Sequence, residues 1–340
     1  VSAVPAVLAG GLPRTIPVDD ASRVGQARRV VQQLAESLGF DEVDAGRASL
    51  VAMELATNIL KHAQRGELRL QQVASPAGTG LEIVSVDKGP GFDAAACFDD
   101  GFSTRGTQGI GLGAVARQSD VMDLYADARG AVVLARLYKR GTPHQDLRYG
   151  AAAHAVHGES VSGDAWRIAF DGTQANVLMI DGLGHGLLAH DAAQQGVAGF
   201  DADPLGEPDT LMASLHQSMH GSRGGAVALA RYDGDSGALR FAGIGNLSAA
   251  THNGQGSRGL ASHPGIVGTQ YRKMQTFDFP ESRGRLLIMH SDGLLSRWSL
   301  RDYPDLLGRH PAVVATVLLR DHDRGRDDAT VVALALGHSR

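Results

Sequence analysis

Cysteine is almost absent from this chain: Cys97 is the only one in 340 residues. No internal disulfide can form, so a reducing, cytoplasmic setting is expected. Positive charge is not in excess either. Lys and Arg number 32 against 37 Asp and Glu, for a formal net charge of −5, and this excludes the basic footprint of a nucleic-acid-binding protein. No uninterrupted apolar run approaches the roughly 18 residues that suggest a membrane span. The opening VSAVPAVLAGGLP is apolar, but it has no basic start and is broken by prolines, so it reads as neither signal peptide nor anchor. Histidines such as His154 and His157 lack a cysteine framework, which argues against zinc.

What is present is ordinary globular material, 43% hydrophobic and 20% charged, in a length that suits two domains. Helical spacing runs over residues 22–38 and 44–63. Strands are expected over 68–73 and 81–86, then a glycine-rich stretch at 101–113, a helix near 114–119, and strands near 122–126 and 131–137. A polar stretch, KRGTPHQDLRY, ends this pattern. Beyond it the texture becomes strand-rich, with apolar runs at 165–170, 175–180, 225–232, 238–244, 285–290 and 329–336. Helices are expected at 186–198, 210–219 and 312–319. The expected division is a first domain at 1–140, a linker at 141–149 and a second domain at 150–340.

Three segments of the first half carry chemistry. In MELATNILKHA, Glu54, Asn58 and His62 recur every four residues and share one helix face. A carboxylate and an amide one turn apart suit Mg²⁺, and Glu54 can also orient or deprotonate a hydroxyl. In VSVDKGPGF, Asp87 ends a strand, where it can accept a hydrogen bond from an exocyclic amine. Gly89 and Gly91 let backbone approach a ligand. In STRGTQGIGLG, Gly109, Gly111 and Gly113 permit a loop whose N–H groups face phosphates, with Arg105 adding charge. Alone, each segment also fits a solvated helix face or a simple turn. A dinucleotide fingerprint is rejected, because the glycines come after the two other motifs and not in the strand–glycine–helix setting it requires.

Together and in this order, the segments resemble the ATP-binding fold shared by gyrase, Hsp90, histidine kinases and MutL. They are most similar to anti-sigma-factor and switch serine kinases of the RsbT/RsbW type, over about residues 15–140. The resemblance implies a GHKL (Bergerat) α/β sandwich, ATP with Mg²⁺ as cofactors, Glu54 as catalytic base, Asn58 as Mg²⁺ ligand and Asp87 as adenine contact.

In the second half, Asp164 (SGDAW), Asp181 (MIDGLGHG), Asp292 (IMHSDGL) and Asp327 (GRDDAT) sit at strand ends or in loops. One Asp-Gly alone is an ordinary turn. Several carboxylates aimed at one place repel each other unless cations neutralise them, and such oxygen-rich sites suit Mg²⁺ or Mn²⁺. GDAW, DGLGHG, AGIGN, SDGL and RDDAT resemble PP2C-like phosphatases of the SpoIIE/RsbX type, over about residues 148–338. That likeness implies an αββα sandwich holding two Mn²⁺ or Mg²⁺ ions. Asp181 would bridge them, the Gly182 carbonyl would add a ligand, and Asp164, Asp292 and Asp327 would complete the set, with Asp328 as the alternative to Asp327. For His185 a structural role is expected. The fold class is thus an α+β/α/β two-domain chain.

Both likenesses belong to partner switching, in which a kinase phosphorylates a serine on a small STAS-domain protein and a phosphatase removes it. The expected partner is such an anti-anti-sigma or stressosome-like protein, with a sigma factor or other downstream effector as a further partner. No nucleic acid or membrane is expected, and a homodimer is left open. The alternative is that the first domain binds ATP or a partner without transferring phosphate and controls the phosphatase.

Overall fold

The computed structural model describes residues 6–75, 78–92, 109–142, 144–156 and 159–337. They form two compact units, one spanning Pro13–Leu147 and the other made of the N-terminal strand plus the chain from Arg148 onward.

The first strand, β1 (Ala6–Ala9), pairs antiparallel with β8 (Asp164–Asp171) and buries Leu8. It thus belongs to the second unit, although residues 1–12 had been expected within the first. An apolar stretch that ends in Gly-Gly can leave one unit and close the edge of a sheet in the other.

In the unit spanning Pro13–Leu147, β2 (Arg14–Val18), β3 (Gly66–Ser75), β4 (Gly78–Asp87), β5 (Val121–Asp127) and β6 (Gly130–Leu137) form one antiparallel sheet, in the order β2-β3-β4-β6-β5. Helices α1 (Ala21–Ser37) and α2 (Glu42–Asn58) lie on it. Each starts at an aspartate whose side chain accepts a backbone N–H, Asp20 from Ser22 at 2.7 Å and Asp41 from Asp44 at 2.8 Å, which satisfies amides a helix start leaves open. Val30 and Val31 of α1 and Val51 and Leu55 of α2 meet Leu68, Leu70, Ile83 and Val133 of the sheet in one core. Helix α3 (Gly109–Gln118) adds Leu112 and Val115.

The expected long helix over 44–63 ends earlier, at Asn58, and passes into a π turn over Ile59–Ala63. Such turns recur at functional sites. The polar stretch expected as a linker is partly built into this unit. Asp146 pairs with Arg136 at 2.7 Å, and the His144 ring stacks on Tyr138.

The second unit is a helix–sheet–sheet–helix sandwich, as the αββα expectation required. One sheet runs β1-β8-β9-β10-β11-β16, with β9 at Gln174–Gly182, β10 at Gly225–Asp233, β11 at Ala238–Ile244 and β16 at Phe277–Phe279. The other runs β13-β12-β17-β18-β7, with β12 at Ser248–Asn253, β13 at Gly256–Leu260, β17 at Leu286–His290, β18 at Ala329–Ala335 and β7 at Tyr149–His154; the short strands β14 (Gly265–Ile266) and β15 (Gln270–Tyr271) pair with each other. Helices α4 (Leu187–Asp201) and α5 (Pro208–Ser218) cover the first sheet through Val197, Phe200, Leu211 and Leu215 against Leu178, Ile180 and Val227. Helix α6 (Pro311–His322) packs on β7 and β18. Between the sheets, the Tyr149 ring meets Trp166 and Phe170. Among the described residues, no helix is long and apolar enough to cross a membrane.

Candidate functional sites

In the first unit, the π turn after Asn58 and the end of β4 bring the sequence motifs together. Asp87 closes β4, and its Oδ1 accepts the N–H groups of Gly89 (2.9 Å) and Ala131 (3.2 Å). Its other oxygen accepts no hydrogen bond among the described residues. Gly91 takes φ +68°, and a side chain there would strike the Asp127 carbonyl, so the turn after Asp87 needs glycine.

Gly109, Gly111 and Gly113 do not form a loop ahead of a helix, as expected; they are the first turns of α3 itself. Glycine at Gly111 lets α3 approach the polar face of α2. A Cβ there would stand 3.0 Å from both Asn58 Oδ1 and Glu54 Oε2. The buried Nδ2 of Asn58 has no partner among the described residues, and a group in that state requires one. His62 lies exposed on the π turn. Arg105 lies outside the described residues. A carboxylate with one free oxygen, an unsatisfied amide beside a second carboxylate, and a glycine-thinned helix start are a donor set that fits a nucleotide with Mg²⁺.

In the second unit, Asp164 opens β8 and Asp181 lies near the end of β9, directly opposite each other in register. Asp292 follows β17, and Asp327 precedes β18. Burial, followed by the charges of Asp164, Asp292, Asp327 and Asp328, pushes Asp181 up to about 8. Burial also pushes Asp164 up to about 7; hydrogen bonds from Ser291 and Thr330 oppose that rise, and Asp328 and Asp327 reinforce it. The structure therefore gathers all four predicted aspartates, plus Asp328, into one electrostatic neighbourhood.

Their roles differ. Asp328 is 4% exposed, and its two oxygens accept the N–H groups of Val156 (2.8 Å) and Gly163 (2.6 Å), so it braces the loop that carries Asp164. Asp327 accepts only the N–H of Asp328 among the described residues, which leaves it the freer of the pair. The Ser291 hydroxyl donates to Asp164 Oδ2 at 2.7 Å and itself accepts the Thr330 N–H. Asp164 Oδ1 is buried and has no partner among the described residues. Asn246 donates to Asp292 at 2.7 Å. The Gly182 N–H donates to the Gly163 carbonyl, so its own carbonyl is held at the same strand end as Asp181. His185 is exposed, and its Nδ1 stands 3.1 Å from Glu159.

Sequence reasoning missed Ser291, Asn246 and Glu159 as site-shaping residues. The first two lie inside the SDGL and AGIGN segments, which the resemblance had singled out for other residues. Among the described residues, no three His, Cys, Asp or Glu side chains close a single ion's coordination shell. An orphaned buried carboxylate oxygen and two strongly raised acids still form a set of hard donors that suits divalent cations.

The description "Histidine kinase-like ATPase domain" matches residues 16–137, and through this domain the chain belongs to the histidine kinase-like ATPase family. Within it, 99 residues are 40% identical to the serine/threonine-protein kinase RsbT of Bacillus subtilis (strain 168), over 29% of this chain and 74% of that protein. Two solved structures are also similar. One is a chain described under "The bacterial stressosome: a modular system that has been adapted to control secondary messenger signaling". It has a TM-score of 0.52 and 25% identity, and covers 56% of this chain and 99% of that chain. The other is the PP2C phosphatase domain with a fragment of the regulatory domain of SpoIIE from Bacillus subtilis, with a TM-score of 0.47 and 16% identity, covering 95% and 97%.

Proposed function

We propose that the chain is a cytoplasmic partner-switching regulator. Its second unit removes phosphate from a phosphoserine on a STAS-domain partner, and its RsbT-like first unit uses ATP to phosphorylate a serine on the same or a related partner. The observation that carries the phosphatase reading is the gathering of Asp164, Asp181, Asp292 and Asp327 from separate strand ends, with Asp181 pushed up to about 8. Such mutually repelling acids are relieved either by protons or by bound cations, and divalent cations are the compensation that suits phosphate chemistry.

Asp181, Asp164, Asp292, Asp327 and the Gly182 carbonyl would hold two Mg²⁺ or Mn²⁺ ions. Such a pair neutralises phosphate charge and lowers the pKa of bound water. The protein's own part is positional. Ser291 fixes Asp164, Asn246 fixes Asp292, and Asp328 braces the loop before β8. In the first unit, Asn58 would hold Mg²⁺ and the free oxygen of Asp87 would accept from the adenine amine. Gly89, Gly91, Gly109, Gly111 and Gly113 leave room for the nucleotide backbone. Glu54, next to Asn58 and Gly111, would align the attacking serine hydroxyl and take up its proton.

Incubation of a serine-phosphorylated STAS protein with the full chain should release phosphate in Mn²⁺ or Mg²⁺ and not after Asp181→Ala. Release that survives a chelator would overturn the reading. In the reverse direction, transfer from labelled ATP should be lost in Glu54→Ala. Equal labelling by both proteins would leave the first unit as a binding module that controls the phosphatase.

A further inference from the structure

The turn that follows Asp181 presents apolar side chains where solubility alone would place polar ones. Leu183 is 51% exposed, Leu187 68% and Leu188 57%. They sit in one short segment, from the end of β9 into the first turn of α4. The local backbone holds them there. Gly184 and Gly186 adopt positive φ values of +86° and +74°, Gly186 lies against the Glu159 carboxylate that also pairs with His185, and Leu183 N–H donates to the Gly224 carbonyl. A segment fixed by these contacts and still presenting three leucines reads as an interaction surface.

A cation stands beside the same turn. A Cβ at Gly184 would lie 3.2 Å from the Arg223 guanidinium. Arg223 is exposed, and no ion pair engages it among the described residues. Its position is notable in a neighbourhood that otherwise gathers carboxylates. A phosphoserine on the surface of a protein offers the complement to both features, a dianion for a guanidinium fork and flanking side chains for the leucines.

Resting on the phosphatase reading above, we infer that Leu183, Leu187 and Leu188 dock apolar residues flanking the phosphoserine of the protein substrate, while Arg223 pairs with its phosphate. The substrate class is therefore a phosphoserine set in an apolar protein surface, rather than in an acidic or glycine-rich strand.

Three probes separate this inference from the reading it rests on: p-nitrophenyl phosphate, a phosphoserine peptide flanked by Leu and Val, and one flanked by Gly and Ser, each with Mn²⁺ and the full chain. The wild type should favour the Leu/Val peptide over the Gly/Ser peptide by roughly tenfold or more in kcat/KM, the scale of burying one to two leucine side chains. The Leu187→Ser/Leu188→Ser variant should lose that preference and keep its rate on p-nitrophenyl phosphate, whereas Arg223→Ala should slow all three. Equal use of the two peptides by the wild type, or a preference that survives in the double variant, would overturn the docking surface. Failure of the wild type on all three probes would instead overturn the phosphatase reading, and this inference with it.

Discussion

Replacing Asp181 by Asn should make the metal-free protein more stable while abolishing its phosphatase activity. Asp181 is pushed up to about 8 by burial and by Asp164, Asp292, Asp327 and Asp328, against 3.8 for an unperturbed carboxyl. Its side chain therefore takes up a proton on folding anywhere between those two values. The stability it costs is absent below about pH 4, grows as pH rises, and levels off above about pH 8. One pH unit within that window is worth up to roughly 1.4 kcal/mol. Asn removes the proton requirement but remains a buried polar group, so a net gain of roughly 2 kcal/mol at pH 7.5 is expected. For a unit of this size that raises Tm by about 4–8 °C. The chain's two tryptophans, Trp166 and Trp298, both lie in the second unit, so their fluorescence follows its melting selectively. With chelator present, the variant should melt above the wild type at pH 7.5, and the two should converge near pH 4–5. In saturating Mn²⁺ the order should reverse, because ligand binding stabilises only the form that binds. A variant that melts below the wild type in chelator at pH 7.5 would refute the reasoning.

Three further outcomes follow. Gly111→Ala places a methyl group 3.0 Å from Glu54 and Asn58 oxygens; a fluorescent ATP analogue should bind at least about tenfold more weakly, with phosphatase activity unchanged. Arg136→Ala leaves Glu82 buried without the guanidinium that now lies 2.8 Å away, both groups being 1% exposed; calorimetry should show the first unit destabilised by roughly 3–5 kcal/mol. Chelation of the wild type at pH 8 should lower the melting temperature of the second unit, and the drop should shrink at pH 5, where Asp164 and Asp181 bind protons in place of cations.

Much of the fold was legible because its buried strands are long and apolar. Val177–Ile180 and Leu286–Met289 could be placed from the sequence, and the aspartates that end or follow those runs were found with them. Short strands built from small polar residues gave no such signal. Ser248–Asn253 (SAATHN) becomes a strand because neighbouring β17 offers it hydrogen bonds, and Gly256–Leu260 (GSRGL) because Ser248–Asn253 does in turn. Strand β1 was invisible for a similar reason, since its partner lies more than 150 residues away. At the sites, charge-bearing ligand candidates stood out, whereas the groups that orient them did not. Ser291 and Asn246 are ordinary residue types until the fold sets their side chains against Asp164 and Asp292. The start of α3 was misplaced because glycine is a poor helix former; packing against α2 overrides that preference at Gly109–Gly113.

The most direct test is to grow crystals of the full chain with Mn²⁺ and locate the metal by its anomalous scattering. Two peaks are expected within ligand distance of Asp181, with Asp164, Asp292 and Asp327 turned toward them. Manganese bound elsewhere, or those carboxylates pointing away from one another in the metal-loaded crystal, would contradict the account.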